Sequence, residues 1–312
     1  MKVLLAGGAG FIGSHLCERL LGQNDEVVCV DDLSSGRMEN LSKAIGRSGF
    51  SFVAHDVTEE LPDLGAVDIV MNLASPASPR DYMDHPIKTL EVGSLGTKRL
   101  LDYARKVQAR FLLTSTSEVY GDPSVHPQVE TYWGNVNPVG PRAVYDEAKR
   151  YAEAITFSYA REFDLEVRVA RIFNTYGPRI RPTDGRVVSN FICQALANKD
   201  LTIYGDGSQT RSLCYVHDQV EGLIALSSSS YSGPVNIGNP DEITVSDLAQ
   251  LIIKLVGSSS GLKYVDLPQD DPTRRCPNIE LAVRELGWKP KTTLQDGLSR
   301  TIDWIRQELG SS

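Results

Sequence analysis

The stretch GGAGFIG (residues 7–13) constrains this chain more than any other feature. It stands directly after the apolar run KVLLA (2–6) and opens a segment of helical periodicity, so strand, turn and helix meet at Gly7, Gly10 and Gly13. Glycines at that spacing permit a tight turn, let a pyrophosphate approach the backbone, and let the helix pack closely on the strand. The helix N-terminus then faces the phosphates with unpaired N–H groups. Asp31 ends the next apolar run, 18 residues after Gly13. A carboxylate there accepts hydrogen bonds from ribose hydroxyls and repels a 2′-phosphate, which favours NAD over its phosphorylated form. Asp56 and Val57 after the third run, and Leu73, Ala74 and Ser75 after the fourth, fall at strand carboxyl ends, where ligands of open α/β sheets sit.

The runs KVLLA, EVVCVD (26–31), SFVAHDV (51–57), VDIVMNLA (67–74), RFLLTST (110–116) and EVRVARIF (166–173) are nearly continuous in apolar residues, as in strands covered on both faces. Helical patterns at 12–22, 86–107 and 143–163 separate them. Such alternation predicts an α/β fold, a Rossmann-type doubly wound parallel sheet. After Phe173 the chain turns to Arg-, Gly- and Pro-rich loops with shorter elements, which reads as a smaller C-terminal substrate-binding lobe. The expected division is 1–175 for an NAD-binding domain, with 212–239 returning to it through PVNIGN, and 176–211 with 240–312 for the lobe.

Net charge excludes some partners. At −8 the chain offers no basic field for nucleic acid or an anionic membrane surface. No stretch has the length and hydropathy of a membrane span, and Met1-Lys2 leads into the first strand without a secretory cleavage pattern. The five cysteines are scattered, with no C-x-x-C and no Cys/His ligand spacing. These features are expected of a cytoplasmic protein with no metal.

YDEAK supplies Tyr145-x-x-x-Lys149. On a helix these positions share a face, so the ammonium is expected near the phenol, lowering its pKa and making Tyr145 a base for a sugar hydroxyl. Together with Ser115-Thr116 and the glycine turn, this pair resembles the extended short-chain dehydrogenase/reductase family, which acts on nucleotide sugars. Longer stretches resemble its UDP-glucuronate decarboxylase branch: LASPASP, HPIKTL, LLTSTSEVYGDPSVHPQVETYWGNVNPVGPRAVYDEAKR, RIFNTYGPR, DGRVVSNFICQAL, LTIYGDGSQTRS and DDPTRRCPNIELAVRELGWKP. The likeness covers essentially the whole chain. DDLSSGRMENL (31–41) departs from it toward the 4-epimerases, and Val144 and Ala148 replace more typical neighbours of the base.

The resemblance implies a reaction in which C4 of UDP-glucuronate is oxidised, CO2 leaves the 4-keto acid, and the hydride returns to give UDP-xylose. Tyr145, Lys149, Thr116, Ser117 and Glu118 are the implied catalytic residues. The related 4,6-dehydratases carry Asp-Glu where this chain has Ser117-Glu118. A serine is a poor general acid, so loss of water from C6 is disfavoured, whereas a β-keto acid loses CO2 without one. Thr116, Ser117 and Tyr145 are expected to donate to the oxyanion at O4.

The resemblance adds Phe11, Ile12, Ser34, Gly36 and Thr89 to the NAD contacts. It places Asn174, Arg211 and Arg275 at the diphosphate, Tyr204 beside uracil, and Tyr82, Lys88 and Arg142 near the sugar, with Asn190 a further substrate contact. Arginines gather after residue 170, among them 171, 179, 181, 186, 211, 274 and 275, and suit a diphosphate or a carboxylate. A homodimer through the 86–107 and 143–163 helices is implied by the same resemblance. The alternatives are a nucleotide-sugar 4-epimerase, a 4,6-dehydratase, and a non-enzymatic NAD-sensing protein, which the intact Tyr-Lys pair and glycine turn disfavour.

Overall fold

The structure is a computed structural model of the 312-residue chain and describes residues 1–140, 142–266 and 274–310. Pro141, in the middle of the long decarboxylase-like block, and residues 270–273 of DDPTRRC lie outside the described residues.

Strand β1 (Lys2–Ala6) leads through the glycine turn into helix α1 (Phe11–Gly22). Next come β2 (Glu26–Asp31), β3 (Phe50–Ala54) and β4 (Ile69–Asn72), then helices α2 (Pro79–Asp84), α3 (Pro86–Glu91) and α4 (Thr97–Lys106). After β5 (Arg110–Thr116) the long helix α5 (Ala143–Phe163) leads to β6 (Val167–Ile172). The remainder runs β7 (Thr175–Tyr176), α6 (Val187–Leu196), β8 (Leu201–Tyr204), β9 (Thr210–Ser212), β10 (Cys214–Tyr215), α7 (Val216–Ser228) and β11 (Pro234–Ile237). It closes with β12 (Glu242–Thr244), α8 (Val245–Val256), β13 (Leu262–Val265), α9 (Glu280–Leu286) and α10 (Leu294–Gly310).

Seven strands form one sheet in the order β11-β6-β5-β4-β1-β2-β3, every pairing parallel. Strand order reverses at β1 and β4, and the gap beyond their carboxyl ends is the topological switch point where ligands bind. Apolar side chains on both faces explain the near-continuous runs. One face packs α1, α7 and α9 through Leu16, Leu20, Leu223 and Trp288, and the other packs α4 and α5 through Leu100, Leu101, Ala152 and Tyr159. Each fully buried leucine contributes roughly 2 kcal/mol of transfer free energy.

A separate apolar cluster underlies the rest of the chain, built from Phe191 and Ile192 of α6, Leu248 and Ile252 of α8, and Leu298 and Ile302 of α10. Three two-stranded sheets edge it, pairing β10 with β7, β12 with β9 and β13 with β8. Helix α8 shows why these short elements hold. Thr244 accepts a hydrogen bond from the Asp247 N–H at its start, and Gly257 closes it at φ 72°.

The expected single helix over 86–107 is divided. Between α3 and α4 the segment Val92–Gly96 winds as a π-helix. A Cβ on Gly93 would lie 2.6 Å from the Ala148 Cβ, and one on Gly96 would lie 2.9 Å from Val57 Cγ2. Gly93 allows the close passage against α5 and Gly96 the close approach of Val57 after β3, and the wider π turn accommodates both. Helix α2 is also additional, capped by the Ser78 hydroxyl accepting from the Asp81 N–H with Pro79 at its first position. Among the described residues no helix is long and apolar enough to cross a membrane.

Candidate active site

At the switch point two glycines are required by space as well as by conformation. Gly7 has φ 80°, and a Cβ on it would sit 2.7 Å from the backbone of Leu73 and Ala74. A Cβ on Gly13 would fall 2.2 Å from the Gly7 carbonyl oxygen, so α1 could not close on the turn. Gly10 caps α1 in extended conformation, leaving the N–H groups of its first turn, Phe11 to Gly13, without helical partners. A cavity of about 120 Å³ opens in front of them, also lined by Ser75, Tyr145 and Lys149. A second of about 60 Å³ shares the glycine turn and is lined by Asp31, Ser34, Asp56, Val57, Leu73 and Ala74.

Asp31 accepts from the Ala9 N–H through one carboxylate oxygen and from the Leu33 N–H through the other, each at 2.9 Å. Burial raises its pKa despite those two amides. Each oxygen keeps a lone pair for a ribose hydroxyl. Gly36 does not line either cavity, yet its Cβ would press on Asp31 Oδ1 at 2.8 Å, so its role is to let the loop lie over that carboxylate. The glycine cradle, the open helix terminus and the bound carboxylate all fit NAD. Ser35, His55 and Pro76 also line this region and were not anticipated, because no motif marks loop residues that meet only after folding.

Lys88 and Thr89 differ from expectation. The Lys88 ammonium donates to Asp56 and, at 3.0 Å, to Thr58 Oγ1, which seats it behind the cavity that Asp31 and Asp56 line. Burial opposes ionisation of Asp56, but Lys88 and Thr58 outweigh it and lower its pKa. The Thr89 hydroxyl donates to the His85 carbonyl within its own helix, is 1% exposed, and lines neither cavity.

On the opposite side of the switch point β5 ends in a 3-10 turn, Ser117–Tyr120, which Thr116 caps by accepting from the Glu118 N–H. Tyr145 projects from the first turn of α5 and stacks on Tyr82 with ring centres 5.1 Å apart. Burial pushes the Tyr145 phenol upward, the Glu118 carboxylate pushes the same way, and Arg186 and the Thr116 hydroxyl only partly oppose them. Lys149 does not reach the phenol. Its Nζ donates to the Thr114 carbonyl at 3.0 Å and lies 5.9 Å from the centre of the tyrosine ring. Burial lowers the Lys149 ammonium to about 8, with Glu153 opposing. The expected depression of Tyr145 by its lysine is therefore overridden by desolvation in this state. Ser117 is 2% exposed and, like Thr116, does not line the larger cavity.

Glu118 faces a cavity of about 390 Å³ that Tyr82, Tyr145 and Arg142 also line. Arg142 approaches its two oxygens at 3.3 and 3.2 Å, and Arg275 binds Oε1. Burial alone would raise Glu118, but the Arg275 and Arg142 guanidinia override it and hold the carboxyl down to about 2. This corrects the place expected of Arg275, which meets the catalytic end of the cavity. Asn174, Asn190, Tyr204 and Arg211 line the remainder, with Tyr204 46% exposed at the mouth. Arg186 lines both this cavity and the one at the helix terminus, with a hydrogen bond to the Ala77 carbonyl at 2.7 Å, and stands at their junction.

Three of the clustered arginines hold the fold together. Arg171 pairs with Glu153 at 2.7 Å beneath β5 and α5, where Ser115 also donates to Glu153. Arg179 pairs with Glu18, and Arg181 with Asp81 of α2.

The chain belongs to the NAD dependent epimerase/dehydratase family, whose model matches residues 3–238. Within it the chain is 52% identical over 308 residues to UDP-glucuronic acid decarboxylase 1 of Xenopus tropicalis, covering 99% of this chain and 73% of that protein. Among solved structures it resembles UDP-glucuronic acid 4-epimerase from Bacillus cereus in complex with UDP-glucuronic acid and NAD, at TM-score 0.87 and 28% identity over 99% of this chain and 100% of that one. It also resembles a dTDP-glucose 4,6-dehydratase from Streptomyces venezuelae with NAD bound, at TM-score 0.91 and 28% identity over 100% and 98%. One backbone thus serves epimerases and dehydratases, and the chemistry has to be argued from the site.

Proposed function

We propose that the protein is a UDP-glucuronate decarboxylase that forms UDP-xylose with NAD as its cofactor. The observation that carries the reading is Glu118, held ionised between Arg142 and Arg275 beside Tyr145. A carboxyl with a pKa of about 2 carries no proton at neutral pH, and the Ser117 hydroxyl, which stands where the dehydratases carry Asp, is a weak acid, so neither residue can protonate a leaving C6 hydroxyl. Loss of CO2 from a 4-keto acid requires no such acid.

The cofactor, held by Gly7, Gly10, Gly13 and Asp31, supplies a reversible hydride acceptor for C4. Tyr145, once its own phenolic proton has passed to solvent, takes the proton of the C4 hydroxyl, and Thr116 beside it donates to the O4 oxyanion as CO2 leaves; the C5 enolate then takes up a proton before the hydride returns to C4. Lys149 keeps positive charge on that side from its anchor on Thr114. Arg142 and Arg275 receive the substrate carboxylate, exchanging part of their hold on Glu118 and turning C6 so that its bond to C5 can break into the enolate. Arg186, Arg211, Asn174 and Asn190 face the diphosphate and Tyr204 the uracil. The epimerase-like loop after β2 acts at the adenosine end, where Ser34 donates to Asp32, and has no bearing on the sugar chemistry.

Residues 1–175 with 212–239 serve as the NAD-binding unit, and 176–211 with 240–312 as the nucleotide-sugar lobe. A homodimer through α3, α4 and α5 is supported by the exposed apolar side chains Ile87, Leu95 and Tyr151, at 68%, 49% and 46% exposure. A cytoplasmic setting is supported by five free cysteines.

The deciding experiment is proton NMR of the protein with NAD+ and UDP-glucuronate, beside UDP-glucose and dTDP-glucose. The expected result is a new UDP-pentose anomeric signal with release of CO2 from UDP-glucuronate alone. An intact or merely C4-inverted hexuronate would overturn the reading.

A further inference from the structure

Away from both cavities, three side chains from separate segments converge. His126 lies in the loop after the 3-10 turn, Glu242 opens β12, and Cys276 precedes α9. Each offers one donor atom, and the three atoms lie within 4.8 Å of one another. No spacing in the sequence announces the group, since 116 residues separate His126 from Glu242.

The cluster is held from behind. His126 Nε2 lies 3.0 Å from Glu242 Oε2, while Thr210 on β9 donates its hydroxyl to Oε1 at 2.5 Å and orients the carboxylate. Gln128, two residues after His126 and fully buried, accepts from the Cys276 N–H at 2.9 Å and donates its own N–H to the Cys276 carbonyl at 2.8 Å. The antiparallel pairing of Glu242 with Ser212 fixes the third segment.

An imidazole nitrogen, a thiol sulfur and a carboxylate oxygen form a borderline-soft donor set, suited to Zn2+ or Co2+ and unlike the all-oxygen shells of Ca2+ and Mg2+. Bond lengths of about 2.0 Å to nitrogen and about 2.3 Å to sulfur place tetrahedral ligand atoms roughly 3.3–3.7 Å apart. Donor atoms already within 4.8 Å reach that spacing by small side-chain movements. The side chains of His126 and Glu242 are 30% and 27% exposed, which leaves an entry route and a fourth position for water.

We propose that His126, Glu242 and Cys276 form a binding site for a zinc-class divalent ion, with three protein ligands and one open position. Ligation requires the Cys276 thiol to give up its contact with the Pro240 carbonyl at 3.2 Å. Because Cys276 directly follows Arg275, an ion here fixes the backbone that carries a guanidinium of the active site.

The test is titration of the full chain, with NAD present, by Co2+, reading the near-ultraviolet thiolate-to-cobalt charge-transfer absorption, followed by displacement with Zn2+. One ion per chain is expected, with the band absent in a folded Cys276→Ser variant. Thr210→Val should keep the band and bind ~10–100-fold more weakly, as for lost outer-shell support. His126→Ala and Glu242→Gln should each lose at least as much affinity. The proposal is overturned if saturating Co2+ gives no thiolate band, if the band persists in Cys276→Ser, or if His126→Ala and Glu242→Gln bind as tightly as the parent chain.

Discussion

Asp146, next to the catalytic tyrosine, is only 7% exposed, and its Oδ1 has no hydrogen-bond partner. Burial raises its pKa to about 7, and the Glu118 carboxylate adds to the rise against Arg275 and Arg142. Glu118 and Asp146 therefore titrate as a pair, the first proton leaving near 2 and the second near 7. A carboxyl whose folded pKa exceeds its unfolded value of 3.8 destabilises the native state wherever it is ionised. The native chain binds the extra proton between pH ~4 and ~7, so stability falls with rising pH through that window and is level above it. Three pKa units correspond to about 4 kcal/mol. Local relaxation and water entry reduce this to about 2–4 kcal/mol at pH 8, which Asp146→Asn should recover. The assay is guanidinium unfolding followed by circular dichroism at several pH values from 4 to 8 for both proteins. The advantage of the Asn variant should grow from near zero to its maximum across the window. A difference flat with pH, or an Asn variant less stable at pH 8, would refute the reasoning.

Tyr145→Phe should lower turnover ~10²–10⁴-fold while leaving NAD retention unchanged, read by single-turnover kinetics and cofactor fluorescence. Lys88→Ala should weaken NAD binding and leave the KM for UDP-glucuronate unchanged, since its ammonium serves Asp56 at the adenosine end; a raised KM with normal NAD affinity would restore it to the sugar. Glu153→Gln strands the Arg171 guanidinium in a site where both side chains are under 15% exposed, and should cost ~3–5 kcal/mol by denaturant unfolding.

The parallel sheet was legible because its inner strands are covered on both faces and read as unbroken apolar runs, which needs no knowledge of partners; the edge strand β3 is apolar in sequence yet has no buried residue. The two-residue strands β7 and β10 lack that signature, since a pairing so short is set by the cluster beneath it. Seven of the eight expected substrate residues line the larger cavity, as local motifs carried them. Lys88 lies off that cavity because it pairs with Asp56, 32 residues away in sequence, and a salt bridge at that distance leaves no periodic trace. The same limit applies to Tyr145. Its spacing to Lys149 is helical, but whether cation or desolvation prevails depends on Glu118 and Tyr82 packed around it.

Strand β11 joins the sheet beside β6 although 61 residues separate Ile172 from Pro234, those from Thr175 to Ser212 contributing strands only to the small sheets and α6 to the separate apolar cluster. On a ribosome this order imposes a delay. At ~5–20 residues per second the seventh strand follows the sixth by on the order of 3–12 s. Throughout that interval β6 is an open edge with unpaired backbone groups. Leu223 and Leu226 of α7 are made before β11, but the part of that sheet face covered by Ala282 and Trp288 stays bare for longer still. The nascent chain therefore presents an adhesive β-edge and an apolar face together, a demand on chaperones set by strand order alone.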